Sequence, residues 1–60
     1  MPFISVDMWS GRPKETREKL IENLTKACCE TLNCPPEAVI VALHEVPKEN
    51  WGHGGKAGQA

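Results

Sequence analysis

The first patterned stretch is Phe3–Met8, Phe-Ile-Ser-Val-Asp-Met. Ile4, Val6 and Met8 share one parity, and Ser5 and Asp7 lie on the other. That two-residue period predicts a strand with one face buried. The run stops at Trp9-Ser-Gly-Arg-Pro, where Gly11 is free to take a positive φ and Pro13 suits a first helical turn. From about Pro13 to Leu32 the period lengthens. Leu20, Ile21, Leu24, Ala27, Cys28, Thr31 and Leu32 fall on one stripe at helical spacing. On the other face Glu15 precedes Lys19 and Glu22 precedes Lys26, the order that favours ion pairing one turn apart. Pro35-Pro36 blocks continuation past Asn33-Cys34.

Val39–Val46 is almost continuously apolar and rich in β-branched residues, as in a strand covered on both faces in a parallel pairing. Strand, helix, strand makes a β-α-β unit whose crossover should be right-handed. After Pro47, Trp51-Gly-His-Gly-Gly reads as a short hairpin or hook. The predicted fold class is α/β: a β-α-β unit with a parallel two-stranded core and a short C-terminal hairpin, in a single domain over residues 1–60. Two strands do not form an independently stable sheet. The helix covers one face; the other carries Ile40 and Ala42, or Val39, Val41 and Leu43, depending on parity, and requires another subunit.

Composition strengthens that expectation. A 60-residue chain buries only about 60% of the surface its unfolded form exposes. The aromatic residues are only Phe3, Trp9 and Trp51. Seven basic against eight acidic residues, net charge -1, give no electrostatic case for nucleic acid or a membrane surface. No apolar run approaches a membrane span, and Met1–Trp9 lacks the basic and apolar regions of a secretory leader. Cys28, Cys29 and Cys34 are an odd number, which does not make a disulfide scaffold. His44 and His53 are remote from them and no Cys-x-x-Cys occurs, so no metal site is expected. The expectation is an oligomer in a reducing, cytoplasmic compartment.

Pro2 is the first candidate for chemistry. If Met1 is removed, Pro2 carries a free secondary amine, and an α-amine titrates near 8. Burial and nearby cations lower that value further, leaving a neutral lone pair able to take a proton and return it elsewhere. Arg12 follows Gly11 at the strand-to-helix turn, where a helix N-terminus favours an anion and a guanidinium can grip a carboxylate in a fork. Trp51, in the glycine-rich tail, can wall a site and exclude water.

In order, spacing and length these features resemble the 4-oxalocrotonate tautomerase family. The resemblance runs from Met1-Pro2 through Gly11-Arg12 and the helix to Glu45-Val-Pro-Lys-Glu-Asn-Trp-Gly-His-Gly-Gly. It implies a β-α-β protomer assembled as a homo-oligomer, a hexamer built as a trimer of dimers, although trimers and heterohexamers also occur within the superfamily, acting without metal or cofactor on a 2-oxo acid or 2-hydroxydienoate. It also implies that Pro2 is general base and acid in an enol–keto conversion, that Arg12 binds a substrate carboxylate or carbonyl, and that Trp51 is the wall aromatic. One departure stands out: members acting on dicarboxylates carry a second arginine near the start of the second strand, where this chain has Ile40. An apolar side chain there cannot hold a second carboxylate. Cys28 and Cys29 read as packing residues, His44 as a strand-end residue near an interface, and Asp7 and Glu45 as solvated or interface carboxylates. A second acid–base role is conceivable for His53. The rival readings are a catalytically silent oligomeric module and a hydratase or dehalogenase activity on unsaturated acids.

Overall fold

In the computed structural model, which describes residues 1–58, strand β1 (Phe3–Trp9) leads into helix α1 (Lys14–Leu32), and the chain returns through strand β2 (Ile40–Val46). Two-residue strands β3 (Gly52–His53) and β4 (Lys56–Ala57) follow. Single 3-10 turns occupy Pro36–Ala38 and Lys48–Asn50. β1 and β2 pair in parallel from Phe3↔Ile40 to Trp9↔Val46. β3 and β4 pair antiparallel. This is the α/β, β-α-β architecture with a terminal hairpin that the residue pattern predicts.

The element ends follow local chemistry. β1 runs one residue beyond the expected Met8, because Trp9 pairs with Val46 and Ser10 N–H then donates to the Val46 carbonyl at 3.0 Å. Gly11, at φ 119°, makes the turn into the helix. Pro13 sits just before α1, and its carbonyl accepts from the N–H groups of Thr16 and Arg17. At the other end Asn33 adopts the left-handed conformation, φ 55° and ψ 52°, which stops the helix before Pro35-Pro36. β2 begins one residue after the expected Val39, whose N–H closes the 3-10 turn onto the Pro36 carbonyl at 3.1 Å. In the hairpin, Gly54 and Gly55 have φ of 64° and 83°, the positive values a two-residue β-turn of this hand requires.

The register settles the parity left open by sequence. Ile4, Val6 and Met8 stand beside Val41, Leu43 and Glu45 under α1, and all six are half-buried. Phe3, Ser5 and Asp7 stand beside Ile40, Ala42 and His44 on the opposite face. There Phe3 is 64% exposed and Ile40 44%. No described residue is fully buried. The radius of gyration is 14.0 Å, against roughly 10 Å for a compact globule of this length. The described fold is a slab 13 Å thick and 41 Å long.

The helix stripe is covered only along its centre. Leu20, Leu24 and Cys28 are half-buried, while Ile21 (38%), Leu32 (59%), Ala27 and Thr31 are exposed. Two strands about 4.8 Å apart are narrower than a helix of roughly 10 Å diameter, so the flanks of the stripe overhang the sheet. The ion pairs also differ from expectation. Lys19 approaches Glu22 at 3.9 Å, both well exposed, in place of pairs to Glu15 and from Glu22 to Lys26. The closer pair joins helix to sheet: Arg17 Nη1 lies 2.6 Å from Glu45 Oε2, with both side chains partly shielded. Glu45 is therefore a tie between α1 and β2, not a solvated carboxylate.

Arg17→Met keeps the aliphatic stem and strips Glu45 of its partner, which should cost on the order of 2 kcal/mol. Lys19→Met, which removes only an exposed pair, should cost less than about 0.5 kcal/mol. Denaturant midpoints measured at one protein concentration separate the two.

Candidate active site

The parallel strands run from the Pro2 end of the slab to the Trp9 end, and the candidate residues divide between them. At the first end the Ile40 N–H donates to the Pro2 carbonyl at 3.1 Å, extending the ladder one residue beyond Phe3↔Ile40. Pro2 is half-buried and Ile40 exposed. While Met1 is attached, the Pro2 nitrogen is part of an amide.

The other end carries an open pocket of about 340 Å³ lined by Met8, Trp9, Arg12 and Trp51. Arg12 reaches it from the β1–α1 turn, and its Nη1 donates to the Trp9 carbonyl at 3.2 Å. Trp51 arrives from the far side of β2, after the Lys48–Asn50 turn; its N–H donates to the Lys48 carbonyl. Its carbonyl accepts the Gly58 N–H at 2.7 Å, closing the base of the hairpin. The indoles of Trp9 and Trp51 meet edge to face, with centroids 6.1 Å apart and planes at 77°. This is the geometry aromatic quadrupoles prefer. Lys48 Nζ lies 4.6 Å from the centre of the Trp9 ring. The result is an apolar, aromatic wall with the Arg12 guanidinium in the same lining and the Lys48 ammonium over the Trp9 ring, a setting that suits a flat, conjugated anion.

Two of the four residues singled out by sequence, Arg12 and Trp51, thus come together, and the other two, Pro2 and Ile40, lie together elsewhere. Seven residue steps of extended chain separate Pro2 from Trp9, a span of roughly 23 Å. Within one protomer no single small substrate touches both groups. Met8 and Trp9 are the pocket residues that sequence reasoning passed over, together with Lys48, whose ammonium stands over the Trp9 ring. Trp9 read as part of a turn, although its parity with Phe3 places it on the uncovered face. Nothing in the local pattern marks Lys48. The Trp9 Nε1 atom is shielded from solvent without a hydrogen-bond partner in the protomer.

His53 lies on the exposed hairpin and His44 on the open sheet face beside Asp7. Neither borders the pocket. No group of three metal-ligating side chains occurs among the described residues, and no helix there is long and apolar enough to cross a membrane.

Comparison with known proteins places this geometry in a family. The family model described as Tautomerase enzyme matches residues 2–59. The 2-hydroxymuconate tautomerase of Comamonas testosteroni is 44% identical over 55 residues, spanning 92% of this chain and 87% of that protein. TomN, a 4-oxalocrotonate tautomerase homologue of the tomaymycin biosynthetic pathway, superposes with a TM-score of 0.92 at 42% identity, covering 95% of this chain and 88% of its own. A heterohexameric 4-oxalocrotonate tautomerase from Chloroflexus aurantiacus superposes with a TM-score of 0.90 at 28% identity, over 97% and 94% of the two chains. Matched over nearly its whole length in both sequence and fold, the chain belongs to the tautomerase family, in its 4-oxalocrotonate tautomerase branch.

Proposed function

We propose that this protein is a cofactor-independent tautomerase that interconverts the enol and keto forms of a 2-oxo acid or 2-hydroxydienoate. The observation that carries the reading is the pocket in which Arg12 and Trp51 meet, on a chain of this family. In the proposed reaction Met1 is removed and Pro2 becomes the amino terminus. Its neutral secondary amine takes a proton from the enol hydroxyl, or from the carbon beside the carbonyl, and returns it at the other end of the conjugated system. Arg12 anchors a substrate carboxylate, and the Trp9–Trp51 wall keeps water out. Ile40, beside Pro2, adds apolar surface there, which favours the uncharged amine.

Since Pro2 and Arg12 lie at opposite ends of one slab, the working site requires two copies, one giving Pro2 and the other Arg12 and Trp51. A second copy also accounts for the uncovered sheet face and for the exposed Phe3, Ile21, Leu32 and Ile40. The hexamer named for the Chloroflexus relative is the assembly we propose here as a homo-oligomer. With Ile40 where a second arginine would stand, the favoured substrate has a single carboxylate to anchor. The Comamonas relative is named for 2-hydroxymuconate, an enol acid with two carboxylates, one more than this reading gives the substrate here.

Intact mass of the purified protein should show Met1 absent; retained Met1 would leave an amide at Pro2 and end the proposal. Pro2→Ala should keep the native assembly and lose at least about 100-fold in kcat/KM for an enol acid. The shared site has its own test in mixtures. Pro2→Ala and Arg12→Ala proteins, each inactive alone, should regain about a quarter of wild-type activity when dissociated together and reassembled at equal amounts, because random pairing unites intact Pro2 with intact Arg12 at that frequency. A site built within one chain would regain none.

A further inference from the structure

The cysteines lie outside the pocket and have no part in the proposed reaction. Their arrangement at the end of α1 is more specific than packing requires. Asn33 turns the chain into the left-handed region, and the N–H groups of both Asn33 and Cys34 then point at the Cys29 carbonyl, that of Cys34 at 3.3 Å. This is the helix-ending turn in which the side chains four residues before the left-handed residue and one after it frequently touch. In this chain both of those positions are cysteine. The backbone hydrogen bond alone limits their α-carbons to a separation of roughly 7 Å at most, at the outer edge of the range a disulfide spans. The Cys34 Sγ lies 4.0 Å from the Cys28 carbonyl. All three thiols are free and half-buried. Cys28 itself falls on the helix stripe that faces the sheet and is half-buried along with Leu20 and Leu24. Cys29 instead borders a separate open groove of about 420 Å³, shared with Glu22, Thr25, Lys26, Glu30 and Pro36. That groove opens Cys29 to a small reagent, and Cys34 is itself only half-buried.

We propose that Cys29 and Cys34 form a dithiol modification site, closed to an intrachain disulfide by a low-molecular-weight disulfide, with Cys28 left as a free thiol. In the first step the Cys34 thiolate attacks the external disulfide, forming a mixed disulfide and releasing one small thiolate. In the second, Cys29 loses its proton and its sulfur attacks the Cys34 sulfur, closing the bridge and expelling the second small thiol. Two electrons pass from the protein to the reagent, and the two thiol protons end on the released thiols. Burial, with the adjacent Cys34 adding to it, holds the Cys29 thiol above its ordinary range, so Cys29 acts as the resolving sulfur and closure quickens as pH rises. The bridge would tie the end of α1 to the segment that leads through the Pro36–Ala38 turn into Ile40, which holds the Pro2 carbonyl. The inference does not depend on the tautomerase reaction.

The test uses the reduced, assembled protein and oxidised glutathione without denaturant. Titratable thiols should fall from three to one per chain, with an intact-mass loss of two hydrogen atoms and no lasting adduct. Cleavage after Glu30, which lies between the two cysteines, should give peptides joined until reduction. Cys28→Ala should close as wild type does. Cys29→Ser should stall as a glutathione adduct on Cys34, whereas Cys34→Ser should retain its two thiols. Three unchanged thiols, a stable adduct on the wild-type protein, a bridge between chains or one that includes Cys28 would each overturn the proposal.

Discussion

Everything in this fold hangs on one parallel ladder, the pairing of Phe3–Trp9 with Ile40–Val46. Parallel strands cannot be joined by a tight turn, so the chain must cross from the far end of β1 back to the near end of β2. α1 makes that crossing, which explains its length and why it covers only one face. The ladder also fixes the site. The start of β1 lies beside the start of β2, so Pro2 and Ile40 are neighbours; the two strand ends lie together, so Arg12 and Trp51 are too. A fold of this kind separates the two proposed groups by the length of a strand, and in the proposed reaction their proximity comes from another copy.

The element order, the helix and the terminal hairpin were legible because each has a period or a stop signal of its own. Alternation marks β1, the helical stripe marks α1, and Pro35-Pro36 and Gly54-Gly55 mark the turns. What sequence could not resolve depends on relations across the chain. The face on which Ile40 lies follows from its pairing with Phe3, and no local pattern encodes that register. Glu45 became a structural tie only once Arg17, remote in sequence, was placed above it. Trp9 was misplaced for a simpler reason: a large aromatic followed by Ser-Gly reads as the start of a turn, yet the ladder continues through it to Val46. The proposed pairing of Cys29 with Cys34 rests on the left-handed Asn33, a conformation the sequence permits but does not announce.

Family membership and local chemistry bear on different questions here. The match to tautomerases rests on the whole chain, whereas substrate choice rests on single positions such as Ile40. In the proposed reaction an arginine beside the proline would serve two ends, holding negative charge on the substrate and depressing the amine pKa. Isoleucine can help only with the second, through desolvation. Binding energy then has to come from elsewhere, and the indole pair is the largest apolar surface near Arg12. The balance moves from ionic grip to stacking.

The Trp9–Trp51 contact has an optical consequence as well. The chain has two tryptophans and no tyrosine, and both indoles line the same pocket at 6.1 Å separation. Nearly all of the protein's near-ultraviolet absorption and intrinsic fluorescence therefore arises at the pocket wall, with Phe3 adding little. Two transition dipoles that close are coupled, so circular dichroism in this region reads their mutual angle rather than an average over scattered chromophores. The pocket is its own built-in reporter, since both chromophores stand in its wall.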